Sequence, residues 1–363
     1  MDFALDEEQR TLQSVLREFF ADRSPEAAVR AQMAEPAGFD RQLWKRMSTE
    51  LGLPGLAIPE EYGGSGFSFV ELGVVLEEMG RALVVSPFLG SCVMAAQLAL
   101  AVGATDLLPG IASGETIAAV GLAEDGGSWR LEDVTTTAAD GLVRGHKSFV
   151  LDGHGADLYL VVARTPDGPA VFAVDGNAPG LTSEPLHTLD QTRRLARLTF
   201  DDAPARLLAR PEPTAAAVET MLDRTAVALA ADALGGTGQV LDMAVDYAKV
   251  REQFGRPIGS FQAIKHKCAS MLVELESSRA AAYYALWATA VGHDEASIVA
   301  PLVKAHCIDA YLFAAGENIQ IHGGIGFTWE HPAHLYLKRA KSSQALLGSS
   351  DHHRQVLADR INL

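Results

Sequence analysis

Apolar positions recur at helical spacing from the start of the chain: Leu5, Leu12, Val15, Leu16, Phe19 and Phe20 share one face of a helix across residues 4–22. The same period predicts helices over 39–51 and 68–83, the second with Glu71, Glu77 and Glu78 set among its apolar positions. Between them Leu53–Gly66 is dense in Gly and Pro and reads as a turn-rich connector. Near Thr116 the pattern changes. Short apolar or alternating runs at 117–122, 148–151, 158–163, 170–174 and 196–200, divided by Gly, Asp, Asn and Pro, predict a small antiparallel β unit. Ala203–Pro213, rich in proline, reads as its exit linker. From Thr214 onward, Ala- and Leu-rich segments at 215–248, 261–292, 295–319 and 333–346 predict long helices again. The expected class is α+β: an N-terminal α-helical domain over 1–115, a middle β domain over 116–213 and a C-terminal four-helix bundle over 214–363.

One stretch tests that picture. Residues 82–104 carry no charge and are long enough to cross a bilayer. Ser86-Pro87 breaks the run near its start and Gln97 interrupts it, so a loop leading into a buried helix is expected, with no membrane span. The net charge of −16 lacks the basic footprint that nucleic acid or an anionic membrane needs. An anionic ligand would need a local arginine or a helix N-terminus. Cys92, Cys268 and Cys307 have no paired spacing, which suggests buried thiols in a reducing compartment. Met1-Asp2-Phe3 runs straight into an acidic helix start, and the expected location is cytoplasmic.

Two segments in the last domain carry chemistry. Arg251-Glu252-Gln253-Phe254-Gly255-Arg256-Pro257, followed by Gln262, places a guanidinium, an aromatic ring and an amide about a Gly/Pro turn. A guanidinium can grip two pyrophosphate oxygens at once, and an exposed Phe can cover a flat ring. On the residues alone, a helix–helix turn with a solvated Arg reads equally well. The second segment, Gln320-Ile321-His322-Gly323-Gly324-Ile325-Gly326-Phe327, has adjacent glycines that let a phosphate or another backbone approach. It follows a helix, not a strand, so it is no Rossmann fingerprint.

Together and in this order, these segments resemble the flavin-binding signature of acyl-CoA dehydrogenases. Pro59-Glu60-Glu61-Tyr62-Gly63-Gly64-Ser65-Gly66, Glu77–Arg81 and Asp190–Arg193 with Leu198-Thr199-Phe200 are similar to other parts of that family. The resemblance covers essentially the whole chain and implies its three-domain fold. It also implies FAD at a subunit interface. Position for position, Arg251, Phe254, Gln262, Gln320, Gly323 and Gly324 are implied to bind the pyrophosphate and adenosine half of a flavin held mainly by the neighbouring subunit. The family's reaction removes the α proton of an acyl-CoA with a carboxylate while hydride passes from the β carbon to the flavin.

The carboxylate is where this sequence departs. The family's Glu, followed by Gly and Thr or Ser, stands here as Leu347-Gly348-Ser349, and the alternative Glu site on the first helix after the β domain is Thr225. Asp223 lies roughly 200° around a helix from Thr225, and Asp351 is expected as a helix-start carboxylate, not a base. The flavin-side loop reads Ala123–Trp129, and the aromatic-x-Thr/Ser pattern reads Phe149-Val150-Leu151, without the hydroxyl. The losses fall on the catalytic half-site, while the half lent to a neighbour is kept. This pattern resembles the Glu-lacking subunits of heterotetrameric, steroid side-chain acyl-CoA dehydrogenases. It implies a non-catalytic, FAD-completing subunit partnered by a homologous catalytic subunit acting on an acyl-CoA, with the electron acceptor left open. Three rivals stand beside it: a self-sufficient homo-oligomer with another base, a flavin monooxygenase on the same fold, and a flavin-free structural paralogue.

Overall fold

A computed structural model describes residues 5–35 and 38–363; the expectation drawn on Met1–Phe3 lies outside them. The chain runs through α1 (Glu7–Arg23), α2 (Glu26–Ala34), α3 (Arg41–Thr49) and α4 (Phe69–Arg81). A π-helical segment, Leu89–Ala95, passes into α5 (Ala96–Ala101), and α6 (Leu108–Ser113) follows. Next come β1 (Ala118–Gly121), β2 (Thr137–Ala139), β3 (Leu142–Leu151), β4 (Leu158–Thr165), β5 (Gly168–Asp175), β6 (Leu181–Pro185), β7 (Leu195–Pro204) and β8 (Arg206–Ala209). The rest is α7 (Pro211–Val250), the short strands β9 (Glu252–Gln253) and β10 (Arg256–Pro257), α8 (Gln262–Val291), α9 (Ala296–His322), α10 (Ala333–Ala345) and α11 (Ser350–Arg360). The order is helices, then sheet, then helices.

The chain forms two compact units. One comprises Met1–Arg30, Phe69–Val84 and Ala226–Leu363; the other comprises Ala31–Ser68 and Val85–Thr225. In the first, the acids of α4 are accounted for by burial and pairing. Glu78 is 1% exposed and is gripped by both ends of the Arg17 guanidinium, at 3.0 and 2.6 Å. Glu77 accepts from the Tyr283 hydroxyl at 2.5 Å and from Arg279 at 3.1 Å, while burial pushes its carboxyl above the usual range. Glu71 accepts from Gln9, whose side chain also closes the capping box at the start of α1 with Asp6. α4 and α7 approach so closely that a Cβ on Gly235 would sit 1.7 Å from the Glu77 carbonyl oxygen. Only glycine fits there.

α9 is apolar on nearly every face and forms the centre of this unit against α8, α10 and α11. Its extension, Ala296–Phe327, is long and apolar enough to cross a membrane by length and composition, but 67% of its most apolar window is buried in the protein. A helix whose apolar surface is already covered is a core helix.

In the second unit, an eight-stranded sheet runs β6-β7-β3-β2-β4-β5-β8, with β1 added in parallel to β4. The expectation of an antiparallel unit is therefore corrected: the sheet is mixed. Parallel neighbours need a crossover, and the β2–β3 hairpin supplies it between β1 and β4. Ala203–Pro213 is likewise no linker. It holds the end of β7, the edge strand β8 and the first turn of α7. Proline suits these places: Pro204 closes a strand, and Pro211 opens a helix where its missing N–H bonds nothing in any case. The uncharged 82–104 stretch becomes the π-helical segment and α5, with Leu89 to Ala99 buried throughout.

Candidate cofactor arm and vacant base position

α7 ends at Val250, and the next residues form a hairpin whose two turn residues, Phe254 and Gly255, have φ of +54° and +76°. Positive φ at both central positions is the requirement of a type I′ turn, so a Phe here accepts backbone strain. The Phe254 side chain projects from this turn and is 92% exposed. Phe261 meets it edge-on at 6.0 Å, and the Arg256 guanidinium lies 4.1 Å over the Phe261 ring. Arg251 and Gln262 are exposed on either side of the hairpin. Among the described residues, the Arg251 side chain makes no hydrogen bond or ion pair.

The second motif lies beyond the end of α9. Gln320, Gly323 and Gly324 are exposed, Gly323 has φ +63°, and a Cβ built on either glycine would meet nothing within 4 Å. The exposed Phe327 and Trp329 follow, at 76% and 60%. The two motifs are joined by rings. Tyr247, four residues before Arg251, stacks on His322, immediately before Gly323, with centroids 4.3 Å apart. His331 covers His322 at 4.3 Å, and the His322 Nδ1 meets the Asn318 carbonyl oxygen at 2.9 Å. Burial holds His322 below its ordinary pKa, so the imidazole stays neutral. Sequence reading quoted His322 only as a neighbour of the glycines and missed Tyr247. The signal was its position one helical turn before Arg251.

An unpaired guanidinium, an open glycine pair and an exposed aromatic are a donor set that fits the pyrophosphate and flat ring of a dinucleotide such as FAD. The two positions at which the resemblance implies a base look different. Leu347 is 3% exposed at φ +62°, and its carbonyl oxygen faces His353 Nε2 at 3.1 Å. Ser349 caps α11 by accepting from the His352 N–H, and the fully buried Lys304 donates to the Ser343 carbonyl at 2.7 Å. The loop is held at several points, with an alkyl group inward. Asp351 is 93% exposed and paired with Arg354, as a helix-start carboxylate. Thr225 is fully buried and spends its hydroxyl on the Met221 carbonyl at 2.7 Å.

The loop at 123–129 is engaged with its own sheet. Glu124 is paired with the fully buried Lys147 at 2.8 Å; burial raises its pKa, but the bonds from Lys147, Thr135 and Thr136 outweigh that and hold it at about 2. Burial in turn draws Lys147 down to about 8. Asp125 accepts from Ser148 and from Arg197, at 2.5 and 2.7 Å, and lies 3.1 Å from His146. Phe149 sits in a β-bulge at φ +57°, half-buried, and Leu151 is 2% exposed.

Residues 6–115 match the family model for the acyl-CoA dehydrogenase N-terminal domain, and residues 215–362 match the model for the C-terminal domain. The chain is 36% identical over 354 residues to the acyl-CoA dehydrogenase IpdE2 of Mycobacterium tuberculosis, covering 97% of this chain and 95% of that protein. Among solved structures it is similar to the Tcur3481–Tcur3483 steroid ACAD, with a TM-score of 0.86, 33% identity and 98% of each chain covered. It is also similar to the ChsE4–ChsE5 complex from Mycobacterium tuberculosis, with a TM-score of 0.89, 28% identity, and 100% of this chain and 99% of that chain covered.

Proposed function

The chain belongs to the acyl-CoA dehydrogenase family, and we propose that within it this protein is the non-catalytic, FAD-completing subunit of a heteromeric enzyme. The partner would be a homologous subunit that carries the base, and the substrate an acyl-CoA thioester. Steroid-linked acyl groups are the class suggested by the steroid ACAD among its structural relatives. The observation that carries the reading is Leu347: a buried alkyl side chain stands where the family places its proton acceptor. General-base catalysis needs a carboxylate within hydrogen-bond reach of the α carbon, and Leu347 has no such group to offer.

On this reading Arg251 grips the pyrophosphate, Gly323 and Gly324 let it approach their backbone, Phe254 covers a ring, and Gln262 and Gln320 supply amide contacts. FAD, when bound, accepts the hydride from the substrate's β carbon. This chain's own residues bind and orient it, and no proton moves at Leu347 or Thr225. For the three domains of the fold we propose the bounds 1–115, 116–213 and 214–363. The test is anaerobic mixing of acyl-CoA with the purified full chain, alone and co-expressed with a Glu-bearing homologue. Bleaching only in the co-expressed complex supports the reading; bleaching of the chain alone defeats it.

A further inference from the structure

The loop that leaves α9 carries Gly323 and Gly324 at its start and His331 near its end, where it turns into α10. The half-buried His331 touches both sides of that turn. Its ring lies over His322 with centroids 4.3 Å apart, and Tyr247 of α7 also stacks on His322. Its Nδ1 lies 3.2 Å from the N–H of Ala333, the first residue of α10. That N–H has no partner inside its own helix and can only donate. His331 Nδ1 therefore accepts, and the ring's own proton sits on Nε2. One neutral imidazole ties the start of α10 to the end of α9, with the two glycines in the loop between them.

A charge on this ring undoes each contact. A second proton goes to Nδ1 and removes the acceptor of the Ala333 N–H. The resulting cation stands at the N-terminus of α10, the positive end of the helix dipole. It also faces the His322 ring. Of the nearby charges on α2, Arg30 opposes the added proton and Glu26 favours it, and the two are paired with each other at 2.7 Å. Burial, together with His322, holds His331 below its ordinary pKa. His334 of α10 is held down to about 4 by burial, Lys338 and Arg30, so it stays neutral in mild acid. Lys338 itself lies over the Trp329 ring at 4.1 Å.

We propose that His331 is a positioning residue of the cofactor arm: while neutral it holds the Gly323–Gly324 loop in place, and on taking up a proton it lets the loop go. The hold is fully present above about pH 6.5, where an unfolded imidazole is neutral too. It drains away as pH falls from there through the lower value of the folded chain. The latch itself needs only the contacts of His331; its link to flavin rests on the role proposed above for Gly323 and Gly324.

Two variants test it. His331→Asn keeps an acceptor for the Ala333 N–H without a titrating group, and His331→Phe keeps a ring for His322. Amide hydrogen exchange of residues 323–333 is measured on the full-length chain without flavin and corrected for the intrinsic effect of pH. In the wild type it should be about fivefold faster at pH 5.5 than at pH 7.5, the loss of one neutral hydrogen bond. Both variants should show no such change, and if one fails to fold by circular dichroism, the other decides. Equal protection of the wild type at the two pH values, or a change that survives in either folded variant, overturns the latch. Flavin titration of the complex with a Glu-bearing homologue then tests the link. Affinity should fall by a similar factor in the wild type and stay level in the variants. Level affinity in the wild type overturns the positioning role, whereas no flavin binding at either pH strikes the cofactor reading of the glycines instead.

Discussion

Tyr247 and His322 stack at 4.3 Å with their planes 26° apart, which fixes the end of α7 against the end of α9. Arg251 follows one and Gly323 the other, so this contact helps to hold the two segments assigned to the cofactor at their spacing. A ring pair contributes about 0.5–1.5 kcal/mol beyond its buried area. Tyr247→Ala should therefore weaken flavin binding in the assembled enzyme by roughly three- to tenfold, with Tyr247→Phe restoring most of it. Flavin titration of both variants checks this. Equal loss in both would assign the effect to the hydroxyl and not to the stack.

Arg251 gives a sharper test of the arm itself. A charge-assisted bond to a phosphate is worth about 1.5–3 kcal/mol, so Arg251→Ala should lower flavin affinity by roughly tenfold or more. Its side chain is exposed and makes no bond within the described residues, so helix content and thermal midpoint should not move. Unfolding with unchanged flavin content would make Arg251 a structural residue.

Leu347 can be probed from two directions. At φ +62° a leucine pays roughly 1–2 kcal/mol that glycine would not, but its buried side chain contributes about 2–5 kcal/mol that glycine would forfeit. Burial wins, so Leu347→Gly should lower stability in urea melts. Leu347→Glu should give no acyl-CoA turnover, because a carboxylate adds rate only to a flavin and thioester that are already bound and oriented. Rapid anaerobic bleaching in that variant would count strongly against a non-catalytic role.

Acid should destabilise the protein through its buried histidines. Burial, aided by the nearby Lys304 and His352 charges, holds His353 down to about 3, while an unfolded imidazole takes up its proton near about 6.5. The unfolded chain therefore binds the proton first. The stabilisation is fully present above about pH 6.5 and drains away as pH falls from there toward 3. Urea midpoints measured at pH 7, 6 and 5 should decline, and His353→Gln should flatten part of that decline. An identical slope in the variant would mean that other groups carry it.

The long helices were legible because their apolar period is sustained: α7, α8, α9 and α10 lie close to the predicted segments. α2 was missed, since Glu26–Ala34 is nearly all alanine, valine and charge and shows no clean stripe. The parallel pairing of β1 with β4 is a contact between segments about forty residues apart, which no local alternation encodes. The proline-rich run at 203–213 misled for the opposite reason. Proline marks linkers, but it also fits strand ends and first helical turns. Of the site, the motif residues were readable and their exposure was not. The inward set of Leu347 comes from tertiary packing, and so does the Tyr247–His322 stack, of which the sequence shows only that Tyr247 lies one helical turn before Arg251.

On the proposed reading, this chain completes another subunit's flavin site without running one of its own. FAD counted per polypeptide by absorbance, in the purified complex with a Glu-bearing homologue, decides between this reading and a self-sufficient enzyme. About one FAD per pair of chains is expected, with little or none on this chain purified alone. One FAD bound to every copy of this chain in a homo-oligomer, reduced on adding acyl-CoA, would contradict it.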